Sequence, residues 1–150
     1  MIYTNEELHE IVDLHRKYLT GEAGGQKANF TGTDLYGANL ANTNLKGAEM
    51  GGAILIRALM WSTNFEGANL EKANFKHAVV ESAILKDANM RCSALKGVNL
   101  DNADLRGADL TGAVIFGSTF NGAIYDDRTI WPEDFKPDAV GAVRAMNAEA

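Results

Sequence analysis

The sequence predicts an all-β solenoid closed at its N-terminal end by a helix. Three observations carry this. A large apolar residue recurs at every fifth position from Phe30 to Tyr125. A small residue stands two places before each one. The segment ahead of the repeat follows a different, helical spacing.

The repeat comes first because internal periodicity constrains a fold most strongly. The centres are Phe30, Leu35, Leu40, Leu45, Met50, Leu55, Met60, Phe65, Leu70, Phe75, Val80, Leu85, Met90, Leu95, Leu100, Leu105, Leu110, Ile115, Phe120 and Tyr125, with no slip. The preceding small residue is Ala in fourteen of the twenty units, and otherwise Thr33, Thr43, Thr63, Ser93, Ser118 or Val98. Asn or Asp usually lies between the two. Gly stands two places after the centre in ten units. A period of five fits neither a 3.6-residue helix nor a long strand. It fits a very short extended side followed by a turn. On such a side the centre and the small residue face inward, and the residue between them faces out. Gly and Asn then allow the positive φ of a turn. A small residue at every second inward place implies a narrow interior. Coils stacked in this way lie about 4.8 Å apart.

These residues strongly resemble the pentapeptide-repeat family, whose pattern is a small residue, Asp or Asn, then Leu or Phe. The likeness covers 26–125, with units such as "ANL" (38–40, 68–70) and "ADL" (103–105, 108–110). It implies a right-handed quadrilateral β-helix, four units per coil, hence about five coils and a rod roughly 24 Å long. The flanks "GEAGGQKANF" and "GAIYDDRTIWPEDF" also resemble those of bacterial members.

Three segments follow: 1–25 as N-terminal capping helix and linker, 26–125 as the β-helix, and 126–150 as a C-terminal cap. An uncapped solenoid exposes an apolar end and unpaired edges. In the first segment Thr4 and Glu7 have capping-box spacing, and Tyr3 and Leu8 the spacing of a hydrophobic staple. Leu8, Ile11, Val12, His15, Tyr18 and Leu19 fall on one helical face, and Gly21 is a stop. At the other end Ile130, Trp131 and Phe135 are expected to close the last coil. Pro132 is expected to end the ladder, and 138–147 to form a short final helix.

Charge narrows the partners. The chain is −6 overall. Residues 1–25 carry five acids and two bases, 126–150 six and three, and 26–125 nine of each. The rod is therefore neutral and lacks a basic nucleic-acid footprint. A lone cysteine, Cys92, permits no intrachain disulfide and fits a reducing compartment. No apolar run is long enough to span a bilayer. The acidic N-terminus does not read as a signal peptide. A cytoplasmic protein is expected.

One stretch departs from the polar pattern. In "AILIRALMW" (53–61) the register holds, with Ala53, Leu55, Ala58 and Met60 inward. Ile54, Ile56, Leu59 and Trp61 are left outward, where other units carry Asn, Lys or Glu. Four units per coil stack residues twenty apart. That sets Leu59 below Val79 and Ile56 above Tyr36, with Phe116 further along the same column and Ala94 and Val114 beyond Ile54. Tyr36, Ile54, Ile56, Leu59, Trp61 and Val79 are thus expected to form one exposed apolar patch, the kind of surface that binds something. The N-terminal helix lying along it, a homodimer, a foreign partner and plain exposure all remain open. On another side, Lys46, Glu66, Lys86, Arg106 and Asp126 bring both signs into one column and suggest solvated ion pairs between coils.

Catalytic and metal chemistry find little support. His9, His15 and His77 lack metal-ligand spacing. His15 reads as a packing residue, and His77 and Cys92 as turn residues. The paired acids of "YDDRT" (125–129) read as a turn or cap. The glycines follow the turn period and form no phosphate loop. There is no nucleophile elbow. A narrow interior of Ala and Leu leaves no pocket. No cofactor and no enzyme activity are expected. The expected function is a non-enzymatic scaffold or interaction module that binds a protein partner or itself. The alternative comes from the resemblance: some family members mimic duplex DNA, bind DNA gyrase and protect it from quinolones. The neutral repeat, with Lys46, Lys76, Lys86, Arg91, Lys96 and Arg106 interrupting any acidic stripe, weighs against it.

Overall fold

The computed structural model describes residues 2–146. Helix α1 runs Asn5–Thr20. Its Thr4 side chain accepts from the Glu7 N–H, and the Glu7 carboxylate accepts from the Thr4 N–H at 2.7 Å. Glu6 and Glu7 in the first turn and Lys17 in the last complement the helix dipole. Gly21 ends the helix in the left-handed region at φ 75°.

From residue 29 the chain winds as a β-helix. Parallel single-residue bridges join residues twenty apart, from Asn29↔Glu49 to Asp104↔Ile124, so four five-residue units complete one coil. Each centre donates its N–H to the next coil, as Phe30 does to Glu49 O at 2.7 Å and Leu55 to Asn74 O at 2.7 Å. The turn closes on itself: Ala58 N–H reaches Leu55 O at 3.0 Å, with Arg57 between them at φ 59°. A positive φ at the third turn residue alone is the type II pattern. It explains why Gly is frequent there, and why Asn42, Lys72, His77 and Cys92 occupy a strained place when Gly is absent.

The residue between the inward pair does more than face water. Its Asn or Asp side-chain oxygen accepts the N–H two residues on, as Asn64 Oδ1 does from Glu66 at 2.9 Å and Asn74 Oδ1 from Lys76 at 3.1 Å. This Asx bond satisfies a turn N–H that the ladder leaves free, and it accounts for the residue preference. Inside, the centres from Phe30 to Leu110 are 0–2% exposed. The polar small residues Thr63 and Ser93 are also buried, their hydroxyls bonded to Leu40 O and Met90 O.

α1 lies across the end beneath the first coil. Leu8 is buried, Ile11 and Val12 pack on the core, and Tyr3 meets Phe30 edge-on with centroids 5.8 Å apart. His15 is fully buried: its Nδ1 accepts from Ala28 N–H at 2.9 Å, and its Nε2 lies 2.8 Å from Lys46 O. Those two bonds assign the neutral ring with the proton on Nε2. Tyr18 and Leu19, expected on the packing face, are exposed.

The C-terminal end differs from expectation in three ways. Ile130 does not plug it. The residue pairs with Asp109, one position beyond the twenty-residue step, and remains half exposed on the outside. The ladder does not stop at Pro132: Gly122 N–H reaches Gly141 O, and β1 (Ile124–Tyr125) pairs in parallel with β2 (Val143–Arg144). In place of a helix over 138–147, Pro137–Val140 make one 3-10 turn that Gly141 ends before β2. Residue 147 lies outside the described residues. Pro137 fixes the first φ, and the pull of the open edge draws the chain back into extended pairing. Closure comes from aromatics. Trp131 stands edge-on to Phe120 and Tyr125 at 5.7 and 5.6 Å, and Phe135 lies 5.0 Å from Trp131.

Candidate functional site

The six residues of the expected apolar patch lie on and beside one side of the rod, while Ile84 and Ile124 are exposed in another column. Turn bonds from Ala58 N–H to Leu55 O and from Thr63 N–H to Met60 O make Ile56–Arg57 and Trp61–Ser62 successive corners. Between them run Ala58, Leu59 and Met60. Ala58 and Met60 are fully buried, and Leu59 alternates outward. Leu59 pairs with Asn39 on one coil and Val79 on the next, so Leu59 and Val79 stack along the middle of this side. Ile56 O accepts from Gly37 N–H, which places Tyr36 one coil below Ile56 at the first corner. Ile54 belongs to the preceding side, between Asp34 and Asn74. Tyr36 is 60% exposed, and Ile54 and Trp61 are 37% exposed. Ile56, Leu59 and Val79 are half-buried by their neighbours.

The cost of this surface is local. Ile54 and Leu59 stand where Asn or Asp would accept a turn N–H, so they offer no Asx bond to Ile56 and Trp61. Arg57 and Ser62 take left-handed turn positions without Gly, at φ 59° and 56°, which costs about 1–2 kcal/mol each. α1 meets this side only at its foot, on the first coil below Leu59 and Trp61. The helix residues Asn5, Leu8, His9 and Val12 face Asn39–Ala41 and Thr43 at the first coil, and His15 is bonded to Ala28 and Lys46. Further along the rod the structure exposes Phe116 by 77% and Val114 by 58%. Both occupy outward places in the columns of Ile56 and Ile54, a signal the sequence carried but the expected patch left out.

The mixed-charge column pairs only in part. Lys46 Nζ lies 3.7 Å from Glu66. Arg106 turns instead to Asp104 within its own unit, at 2.6 Å. Burial pushes Asp104 up, but the Arg106 guanidinium and backbone N–H outweigh it and hold the carboxyl below its ordinary value. Asp126 accepts from Gly107 N–H and Arg128 N–H. Other pairs link coils outside that column, as Arg91 with Asp109 at 3.1 Å and Arg128 with Asp87 at 2.7 Å. Among the described residues no group of three or more His, Cys, Asp or Glu is placed to hold a metal ion. Both nitrogens of His15 are already engaged. Cys92 is exposed at a turn. Among the same residues no helix is long and apolar enough to cross a membrane.

A narrow β-helix with buried Ala–Leu layers and Asx-bonded corners defines a solenoid built of five-residue units. The family model described as "Pentapeptide repeats" matches eight copies over residues 26–61, 53–91, 63–101 and 88–124. The chain belongs to the pentapeptide-repeat family, whose fold is a right-handed β-helix. Among solved structures it is similar to HetL from the cyanobacterium Nostoc sp. strain PCC 7120, a pentapeptide repeat protein involved in heterocyst differentiation regulation. The match is 23% identical with a TM-score of 0.60, over 74% of this chain and 50% of HetL. The chain thus spans half the length of that relative, and the likeness concerns the fold. Rfr23 from the cyanobacterium Cyanothece 51142 is 28% identical over 79% of this chain and 96% of its own, with a TM-score of 0.39. Full-length QnrB1, a plasmid-mediated fluoroquinolone resistance protein, is 15% identical over 75% of this chain and 82% of its own, at 0.37. No curated protein matches.

Proposed function

We propose that this chain is a non-enzymatic, rigid rod of five quadrilateral coils that engages a protein through the side bounded by the Ile56 and Trp61 corners. One observation carries the proposal. Tyr36, Ile54 and Trp61 stay exposed beside Leu59 and Val79, and α1 reaches the side only at its first coil. A contiguous exposed apolar patch is the mark of an interaction surface. The DNA-mimic alternative gains nothing from the register. No ladder column of the repeat carries more than two successive carboxylates, the longest run being Glu81 and Asp101.

The test is capture from host lysate by the wild type beside Ile56→Asp/Trp61→Asp, with each mass measured in solution and folding checked by circular dichroism. Loss of a captured protein, or of a dimer, in the folded variant supports the proposal. Unchanged capture and mass overturn it.

A further inference from the structure

Resting on that reading, we infer that this side is self-complementary and pairs two copies of the chain side by side with their rods parallel. Lys76 and Lys96 of one copy then oppose Glu81 and Asp101 of the other.

The charges follow from the ladder. Above Ile56 the first corner carries Lys76 and then Lys96, because Arg57 N–H bonds Lys76 O and His77 N–H bonds Lys96 O. Above Trp61 the second corner carries Glu81 and then Asp101, by the bonds Ser62 N–H to Glu81 O and Ser82 N–H to Asp101 O. Lys76 and Glu81 lie on one coil, and Lys96 and Asp101 on the next. One edge of the side is therefore positive and the other negative, at the same two levels, with Leu59 and Val79 between and below. Among the described residues none of these four charges has an ion-pair partner. Lys27, Lys46, Arg91, Arg106 and Arg128 each find a carboxylate, whereas Arg57, Lys72 and Lys86, like Lys76 and Lys96, have no ion-pair partner among the described residues.

Symmetry then selects the arrangement. A two-fold axis along the rod sets the positive edge of each copy against the negative edge of the other, at equal height. It also places Leu59 and Val79 against their own counterparts, and Ile56 against Trp61. A two-fold axis across the rod would instead set lysines against lysines and carboxylates against carboxylates. The parallel contact is isologous and closed, so it ends at a dimer. The side is one β-helix face about 24 Å long, smaller than the patch of a permanent complex. The expected dimer is concentration-dependent.

Sedimentation equilibrium of the full chain from about 10 μM to about 1 mM tests this. The wild type is expected to dimerise, less so at high salt. Lys76→Glu/Lys96→Glu and Glu81→Lys/Asp101→Lys are each expected to weaken the dimer by about tenfold or more. All four substitutions together exchange the edges and are expected to restore it. A wild type that is monomeric throughout, charge swaps without effect, or a fourfold variant that stays monomeric would each overturn the pairing. A monomeric wild type that still captures a host protein through Ile56 and Trp61 would refute the pairing alone. Absence of both dimer and capture would refute the broader proposal as well.

Discussion

Replacing His15 with Leu isolates the contact that holds α1 to the rod. The substitution removes two hydrogen bonds, the ring's acceptance from Ala28 N–H and its donation to Lys46 O. The Ala28 N–H is then buried without a partner, at about 1–3 kcal/mol, and a second bond worth about 0.5–1.5 kcal/mol is lost. A total near 2–4 kcal/mol corresponds to a melting-temperature drop of roughly 5–15 °C for a chain of this size. The pH dependence is the sharper readout. Burial pulls the His15 pKa below 6.5, and Lys27 adds to this, against the smaller upward effect of the Lys46 carbonyl bond. Below pH 6.5 the unfolded chain therefore binds the His15 proton before the folded one. The stabilisation is fully present above that pH and is lost as pH falls towards the lowered folded value. The slope is at most about 1.4 kcal/mol per pH unit. The assay is denaturant unfolding at several pH values between neutrality and the carboxylate range, with amide exchange at Ala28. The wild type should lose stability on acidification, and the Leu variant should lose this part of the slope along with protection at Ala28. A variant that keeps both the wild-type slope and its Ala28 protection would refute the assigned tautomer and its role.

Two further outcomes follow from backbone geometry. Gly25→Ala should loosen α1 by about 1–3 kcal/mol, because an added Cβ would collide with the Tyr18 backbone nitrogen and overpacking has that typical cost; faster exchange throughout α1 checks it, and unchanged exchange would contradict the close approach. Asn89→Ala should lose the bond from Arg91 N–H to Asn89 Oδ1 and about 1 kcal/mol of stability. Asn89→Asp should keep that bond, as Asp34 and Asp104 do at equivalent places. Equal losses in the two variants, read by denaturant melts, would remove the Asx bond as the reason for the motif.

The period-five spacing made the β-helix legible because it dictates inward and outward places directly. Ala58 and Met60 could point only one way once the register was known, and that alone turned Leu59 and Trp61 outward. The capping box at Thr4 and Glu7 was equally legible, since its partners are three residues apart. Other features depend on where the chain goes afterwards. Ile130 reads as an apolar plug, yet the extra residue in the 126–129 turn sets it on the ladder facing out. The lysine and carboxylate edges of the candidate side became visible only once its corners were placed. Arg106 lay in a column between Lys86 and Asp126, yet it bonds Asp104 two residues back because a planar guanidinium reaches that nearer carboxylate with two N–H groups.

The sequence by itself determined the coil, its register and the outward apolar residues, because each depends on contacts repeated every five or twenty residues. Only the tertiary structure decided the course of α1 across the rod's end, the return of Val143–Arg144 to the ladder and the exposure of the Ile56–Trp61 side. Those outcomes depend on one-time contacts, such as His15 with Lys46 and Trp131 with Phe120. No period records such a contact, and each is settled by which surfaces remain unpaired once the coils have stacked.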